Sequence, residues 1–262
     1  MTEKVQILTS KISIWNLDET VVQLRRLSES GERHYVCVSN VHTVVMGTQD
    51  PEYARVTNEA TLATADGMPL VWASELVGGP RIHGRASGPD ILEKILNDSA
   101  SHQLRHFFYG STPQVLGALK SSLPRLAPRA QISGYLSPPM RQTKGIDEPL
   151  SDDELDECRR IDETSPHIVW VGLGAPKQEI WMYRARKHLK APVLIGVGAA
   201  FDFLSGGKPR APLWMQKSGL EWLHRMGSEP RRLMSRYLKT NPAFVIAVAK
   251  QALFERNSRS SS

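Results

Sequence analysis

One aspartate in this sequence stands where a general base could be held on a rigid support. Asp66 directly follows the apolar run 61–65 and precedes Gly67 and Pro69, which are typical of a turn that opens a helix. A carboxylate at the carboxyl end of a strand can face a cleft and take a proton from a substrate hydroxyl. The same place also suits an aspartate that caps the next helix. The residue pattern leaves both interpretations open.

Glycine-containing turns follow several predicted strands and favour a phosphate-bearing ligand, because close backbone approach and helix N-termini suit anions. These turns contain Gly110, Gly134, Gly172 with Gly174, and Gly196 with Gly198. None completes a dinucleotide or nucleoside-triphosphate motif, since Lys177 stands where the last glycine of a dinucleotide motif would be. Asp202 follows the last of these turns, and we expect it to make a structural hydrogen bond.

The elements that must position these groups are predicted to alternate between strand and helix. Apolar or β-branched runs occur at residues 34–39, 61–65, 105–109, 130–135, 167–173 and 192–197. Helix-start signals lie between them, such as Thr112-Pro113 and the capping box of Ser151 with Glu154. The alternation predicts an α/β fold with a mostly parallel, Rossmann-like sheet and helices on both faces.

A different pattern begins after Gly206-Gly207, so we predict a core of residues 1–207 and a helical appendage of residues 208–262. Two short helices are expected over 212–227 and 230–239, divided at Pro230. A third, over 242–254, is too short to span a bilayer and too apolar to face water alone. It is therefore expected to pack on the core or to lie at a membrane interface.

The composition excludes a secreted mini-protein, a collagen-like chain and an integral membrane protein. Positive charge is concentrated toward the C-terminal end of the chain. The 262 residues are 40% hydrophobic and 23% charged, as in a soluble globular protein, and two cysteines make no disulfide framework. No signal sequence is evident, so we expect a cytoplasmic protein. The net charge is +6, yet residues 208–262 carry eleven Lys or Arg against three Glu, or +8. Such a field attracts phosphates, anionic lipid or nucleic acid, although it is also compatible with a solvated helical face.

Metal chemistry is not indicated. The eight histidines are scattered along the chain, both cysteines are isolated, and no Asp-x-Asp occurs. We therefore expect neither a metal nor a cofactor, so that arginines and helix N-termini would have to neutralise any phosphate.

Three blocks together resemble signatures of the WecG/TagA/CpsF glycosyltransferases. They are residues 64–72 (TADGMPLVW), residues 172–181 (GLGAPKQEIW) and residues 196–214, beginning GVGAAFDF and ending RAPLW. The segments GLEWLHR at 219–225 and EPRR at 229–232 are similar to the C-terminal appendage of that family. The resemblance runs from about residue 36 to residue 237.

The resemblance implies an inverting enzyme that transfers a sugar from a UDP-sugar to a sugar on a polyprenyl diphosphate, for a bacterial surface polysaccharide. Asp66 would be the general base, with Asn40 near the donor and Gln178 in the same cleft. The implied nucleotide site comprises Gly110, Gly134, Tyr135 and Asp202, and Gly174 is expected to be a further substrate-binding residue. The lipid diphosphate would meet Arg225, Arg231 and Arg232. Val38 stands where the family pattern has a threonine, which implies a different sugar preference.

The implied partners are a UDP-sugar, the polyprenyl-linked acceptor and the anionic inner face of the cell membrane, at which the protein would be peripheral. Self-association stays open, and the donor sugar is undetermined. The alternative is a nucleotide-sugar or nucleic-acid binding module without catalysis. Few aromatic residues are interleaved with the basic ones, which disfavours nucleic acid. The broken glycine motif disfavours a dinucleotide-dependent dehydrogenase.

Overall fold

A computed structural model describes residues 3–260, without the side chains of residues 99–102, 232, 259 and 260. Its strands are β1 (Lys4–Ile7), β2 (Ser10–Ser13), β3 (His34–Ser39), β4 (Leu62–Ala65), β5 (Arg105–Gly110), β6 (Gln131–Leu136), β7 (Ile168–Gly172) and β8 (Val193–Gly196). Its helices are α1 (Leu17–Glu29), α2 (Val41–Gln49), α3 (Pro51–Asn58), α4 (Met68–Leu76), α5 (Gly88–His102), α6 (Pro113–Leu126), α7 (Asp152–Glu163), α8 (Lys177–Ala185), α9 (Ala200–Leu204), α10 (Leu213–Lys217), α11 (Glu221–Ser228) and α12 (Pro230–Ser260).

Six strands form one sheet in the order β4-β3-β8-β7-β5-β6. The β3–β8, β8–β7, β7–β5 and β5–β6 pairings are all parallel. Each of the six predicted strands forms. Five are almost fully buried, as expected for short runs rich in apolar side chains, while β6 at the edge of the sheet is only partly buried. The predicted α/β fold with a mostly parallel sheet and a C-terminal helix is confirmed.

The chain forms two compact units. The first consists of the described residues up to Asn16, Ser39–Ala86 and the described residues from Arg210 onward. The second consists of Leu17–Val38 and Ser87–Pro209. Both units are therefore discontinuous in sequence, and the expected division after residue 207 stays a prediction.

The first unit contains a hairpin that the sequence does not predict. β1 and β2 pair antiparallel, with Lys4 opposite Ser13 and Ile7 opposite Ser10. The side chain of Gln251 in α12 fixes the turn: its oxygen accepts from the Leu8 N–H at 2.8 Å, and its nitrogen donates to the Gln6 carbonyl at 3.1 Å. The C-terminal helix thus closes a hairpin formed by the N-terminal residues.

The predicted division of the appendage into helices is wrong in two places. The expected helix over 212–227 is divided into α10 and α11 by Gly219, whose φ is +70° and whose missing Cβ would lie 2.7 Å from the Trp72 ring. In contrast, α12 continues through Pro242. Leu233, Phe244 and Val248 lie on one face and are buried on both sides of the proline, so their packing holds the helix despite one lost hydrogen bond.

In the second unit, two helix starts follow the expected chemistry. Ser151 and Glu154 form the reciprocal capping box at the start of α7, with N···O distances of 2.9 and 3.3 Å. Thr112 caps α6 ahead of Pro113, and its hydroxyl accepts from the Val115 N–H. Each cap fixes the residue at which its helix begins.

Candidate active site

Asp66 lies immediately after β4 and is half-buried. Its N–H donates to the Ser39 carbonyl at the end of β3, with an N···O distance of 2.7 Å. Gly67, with φ +110°, is the N-cap of α4, and no side chain caps that helix. Of the two interpretations that the sequence left open, helix capping is therefore excluded, and the carboxylate is available for other chemistry.

Asn40 orients the Asp66 carboxylate. It is the N-cap of α2, where its side-chain oxygen accepts from the Thr43 N–H at 3.2 Å while the Thr43 hydroxyl accepts from the Asn40 N–H at 2.8 Å. The Asn40 side chain also hydrogen-bonds Asp66. Because the amide oxygen already serves the cap, the amide nitrogen is the group that can donate to the carboxylate. The capping box thus fixes the rotamer of a side chain that holds Asp66.

The surroundings of Asp66 raise the pKa of its carboxyl toward neutral pH. Burial raises the pKa of the carboxyl to about 6, and the negative charge of Glu221 contributes in the same direction. Arg225, the hydrogen bond from Asn40 and Arg85 act against this rise. A carboxyl with such a pKa is mostly ionised at pH 7, yet it is a stronger base than an ordinary aspartate.

A polar cluster ties the appendage to Arg85 within the first unit. The Arg85 guanidinium donates to the side-chain oxygen of Gln216 at 2.6 Å and lies 3.9 Å from a Glu221 carboxylate oxygen. Arg210 lies 4.0 Å from the other carboxylate oxygen of Glu221. Gln216 itself donates to the Ala211 carbonyl at 2.7 Å. The start of the appendage is therefore held by the same groups that act electrostatically on Asp66.

Arg85 and Glu221 are residues that the sequence reasoning missed. They are 136 positions apart in the chain, and neither stands in a motif spacing that predicts a contact. The segment GLEWLHR contains both Glu221 and Arg225, and that was the only available signal.

A second group that the sequence reasoning missed lies around the start of α2. Burial, together with a smaller contribution from the charge of Arg236, lowers the pKa of His42 to about 4, so the imidazole is neutral at pH 7. No hydrogen-bond partner is found for His42 Nδ1 in the described part of the chain. Burial raises the pKa of Tyr237, whose ring packs edge-on against Trp222 at 5.7 Å.

The arginines expected to meet a lipid diphosphate differ in position. Arg225 in α11 acts electrostatically on both Asp66 and Tyr237, so it belongs to the Asp66 cluster. Arg231 is exposed and lines a shallow groove along the start of α12 with Met234 and Leu238. The side chain of Arg232 lies outside the described residues.

In the second unit, the expected nucleotide-site glycines allow close packing at the strand ends. Gly110 has φ +112°, and a Cβ there would lie 2.8 Å from the carbonyl carbon of Gly172. At Gly134 a Cβ would lie 2.5 Å from the Phe107 ring. Tyr135 stacks on Phe108 with ring centroids 5.4 Å apart, and burial raises its pKa. Both glycines are therefore required for packing within the protein at these strand ends.

Gln178, Gly174 and Asp202 also lie in the second unit. Gln178 is buried, and its side-chain oxygen accepts from the N–H groups of Gly174 and Gly198 at 3.1 and 3.0 Å. Asp202 in α9 is half-buried, 3.6 Å from the Lys208 ammonium, and its carbonyl accepts from the Lys208 N–H. Val38 is buried in β3.

Asp66, Asn40 and Arg225 are thus brought together in the first unit, while the expected substrate-binding residues Gly110, Gly134, Tyr135, Gly174, Gln178 and Asp202 belong to the second. Among the described residues, no group of three or more His, Cys, Asp or Glu could hold a metal ion. Within the same part of the chain, no helix has the length and apolar character needed to cross a membrane.

The chain belongs to the WecG/TagA/CpsF glycosyl transferase family, whose model matches residues 5–258. This confirms the resemblance seen in the motifs. The chain is similar to N-acetylglucosaminyldiphosphoundecaprenol N-acetyl-β-D-mannosaminyltransferases of two bacteria. The one from Bacillus spizizenii is 28% identical over 216 residues, which cover 82% of this chain and 79% of the relative. The one from Staphylococcus aureus strain MW2 is 26% identical over 262 residues, which cover 95% and 96%.

Proposed function

We propose that this chain is an inverting glycosyltransferase that moves a hexose, an N-acetylhexosamine or its uronic acid from a UDP-sugar to a sugar on a polyprenyl diphosphate. The product would enter a bacterial surface polysaccharide. Family membership and the names of the two relatives support the transfer to a diphosphate-linked lipid acceptor. The observation that carries the proposed mechanism is the Asp66 carboxylate, which is held by Asn40 at a strand end and has a pKa raised to about 6.

In the proposed step, the acceptor hydroxyl oxygen attacks the anomeric carbon of the donor as the bond from that carbon to the UDP oxygen breaks. The hydroxyl proton passes to Asp66, and UDP leaves with the bonding electron pair. A pKa of about 6 suits this role, because the group is about 90% ionised at pH 7 and still binds a proton readily. Attack from the face opposite UDP inverts the anomeric configuration.

Positive charge for the diphosphate groups is supplied by arginines in this proposal. Arg85 and Arg225 both act electrostatically on Asp66, so they lie near the place where the acceptor would react. Guanidinium groups suit diphosphate, since they donate paired hydrogen bonds and stay charged. The neutral His42 beside Arg236 adds a polar group without adding positive charge.

The exposed face of α12 supports the proposed membrane partner. Large apolar side chains are exposed along most of its length: Met234, Leu238, Val245, Ile246, Leu253 and Phe254. Exposed basic residues lie among them on the same side of the helix, namely Arg231, Lys239, Lys250 and Arg256. At a membrane interface, apolar side chains insert among the lipids while long basic side chains beside them reach anionic headgroups. We propose that α12 brings the enzyme to its acceptor at the inner face of the cell membrane.

Vesicle sedimentation tests the membrane proposal. The full chain should bind vesicles that contain anionic lipid, and added salt should weaken the binding. The double variant Leu238→Asp/Ile246→Asp should bind at least about tenfold less well, because each change places a charge among lipid tails. Met140→Asp is the matched control, since Met140 is exposed in the second unit and should not matter. Equal binding by the wild type and the double variant would refute the role of α12.

The transfer itself is tested by incubating the full chain with UDP-N-acetylmannosamine and a lipid-linked N-acetylglucosamine diphosphate, and measuring UDP and the disaccharide product. Other UDP-sugars follow in the same assay. Asp66→Asn should lower turnover by about 10²–10⁴-fold. Asp156→Asn, at an exposed pair with Arg159, is the matched control. Donor binding without release of UDP for any donor would favour the alternative, a non-catalytic binding module.

A further inference from the structure

The buried Gln178 side chain joins two turns at the carboxyl ends of adjacent strands. Gly174 lies in the turn after β7, and Gly198 lies in the turn after β8. The N–H groups of both residues donate to Gln178 Oε1, at 3.1 and 3.0 Å. Since β7 and β8 are neighbours in the sheet, one side chain links two adjacent turns at the edge where α/β sheets bind ligands.

The chemistry of these contacts fixes how the amide is oriented. Two backbone N–H groups point to the same side-chain atom, which must then be the oxygen, because an NH₂ group accepts neither. On the other side, Gln178 Nε2 donates to Glu179 Oε1 at 2.8 Å. Both acceptor positions of the oxygen are thus occupied by the protein itself. Gln178 is only 4% exposed and Glu179 only 1% exposed, so this pair lies beneath the surface that a ligand would meet.

The glycines beside Gln178 complete this arrangement. A Cβ on Gly196 would lie 3.0 Å from Gln178 Nε2 and 2.8 Å from Met182 Cε, so only glycine lets the amide lie against the strand end. Gly174 and Gly198 have φ of +77° and +55°, a conformation that favours glycine and that turns their N–H groups toward the amide. The backbone of both turns and the side chain are therefore fitted to each other.

We propose that Gln178 is a positioning residue: its amide oxygen holds the turns after β7 and β8 at a fixed separation, and these turns, not Gln178, contact the donor nucleotide. This inference rests on the proposed function for the identity of the ligand. It adds a specific role to the resemblance, which implied only that Gln178 lies in the same cleft as the donor. Without this link between the two turns, which we call the Gln178 clamp, the turns would lose their fixed separation and should bind the donor less tightly. A misplacement of about 1 Å can also cost about 100-fold in rate.

The test compares variants that keep or remove the acceptor at position 178. Gln178→Met removes it with little change in volume. Gln178→Glu keeps an acceptor but places a second carboxylate against Glu179. The exchanged pair Gln178→Glu/Glu179→Gln keeps an acceptor for both glycine N–H groups. It also restores a hydrogen bond between an amide and a carboxylate, in which position 179 now donates and position 178 accepts. Met182→Leu, which alters a neighbouring contact with Gly196 and no hydrogen bond, is the matched control.

Two measurements on the full chain separate the clamp from the function of the site. Amide hydrogen exchange at Gly174 and Gly198, followed without ligand, should be at least about tenfold faster in Gln178→Met and close to wild type in the exchanged pair. The dissociation constant for UDP should rise at least about tenfold in both single variants at position 178. In the exchanged pair it should return to within about threefold of wild type.

The results of these two measurements decide separately on the clamp, on a direct contact between Gln178 and the nucleotide, and on the proposed donor. Exchange rates that do not change in Gln178→Met would overturn the clamp whatever the protein binds. Restored exchange protection in the exchanged pair with UDP binding still weak would show that Gln178 contacts the nucleotide directly, which overturns the positioning role. A wild-type protein that binds no UDP would contradict the proposed donor, while the exchange rates would still decide the clamp.

Discussion

Replacing Asp66 by asparagine should make the protein more stable at neutral pH. The folded state binds the Asp66 proton more tightly than the unfolded chain, because burial and Glu221 raise the pKa from 3.8 to about 6. The ionised carboxylate therefore costs folding free energy, and this cost grows as the pH rises from about 4 to about 6 and is constant above. Asparagine keeps an oxygen for the Asn40 hydrogen bond and carries no charge.

The magnitude follows from the shift in pKa. A rise of about two pKa units means that the ionised Asp66 carboxylate destabilises the folded state by about 3 kcal/mol above pH 7. At pH 4.5 the folded carboxyl is mostly protonated, so the destabilisation is only about 1 kcal/mol. Because Asp66 is half-buried, solvent screening lowers the expected gain at pH 7.5 to about 1–3 kcal/mol. For a chain of this size that is a rise of a few degrees in the unfolding midpoint.

Thermal unfolding of the wild type and Asp66→Asn at pH 4.5, 6 and 7.5 measures this effect. The stability difference should increase with pH, while the control Asp156→Asn should show no such trend. A variant that is no more stable than the wild type at pH 7.5, or a difference that does not depend on pH, would refute the description of the Asp66 surroundings.

Three further changes test other features of the structure. Glu221→Gln removes a negative charge that raises the Asp66 pKa, so the acid limb of the pH–rate profile should move to lower pH; a limb that stays in place would contradict the coupling. Gly110→Ala should destabilise the second unit by about 2 kcal/mol or more, because φ is +112° and the Cβ would meet Gly172. Gly117→Ala in α6, where the Cβ meets nothing within 4 Å, should instead stabilise by about 0.5–1 kcal/mol in thermal unfolding.

The parallel sheet could be predicted from sequence because five of its six strands are short runs rich in apolar residues that are almost fully buried, and β6 continues the same alternation with helices. The β1–β2 hairpin could not be predicted in the same way. Its strands have four residues each, include polar side chains, and are fixed by Gln251 from the far end of the chain. Helix α12 could not be predicted as one element either, since local rules place a break at Pro242 and only tertiary packing of Leu233 and Phe244 overrides them.

Prediction of the candidate site has a similar limit. Asp66 could be identified because a carboxylate after a strand is a local pattern. The resemblance then selected Asp66 as the general base and placed Asn40 near the donor. The Arg85–Glu221 contact depends on the folding of the appendage within the first unit, which no spacing in the sequence encodes. The resemblance placed Gln178 in a cleft, but only the three-dimensional structure shows that its amide oxygen accepts hydrogen bonds from two backbone N–H groups of the protein itself.

The pH dependence of transfer tests the central role of Asp66 most directly. The ratio kcat/KM for the UDP-sugar, measured from pH 4.5 to 8.5 with the acceptor held constant, should fall on the acid side with a midpoint near pH 6. The residual activity of Asp66→Asn should lack this acid limb. An identical limb in the variant, or a wild-type midpoint near pH 4, would contradict the assignment of Asp66 as the general base.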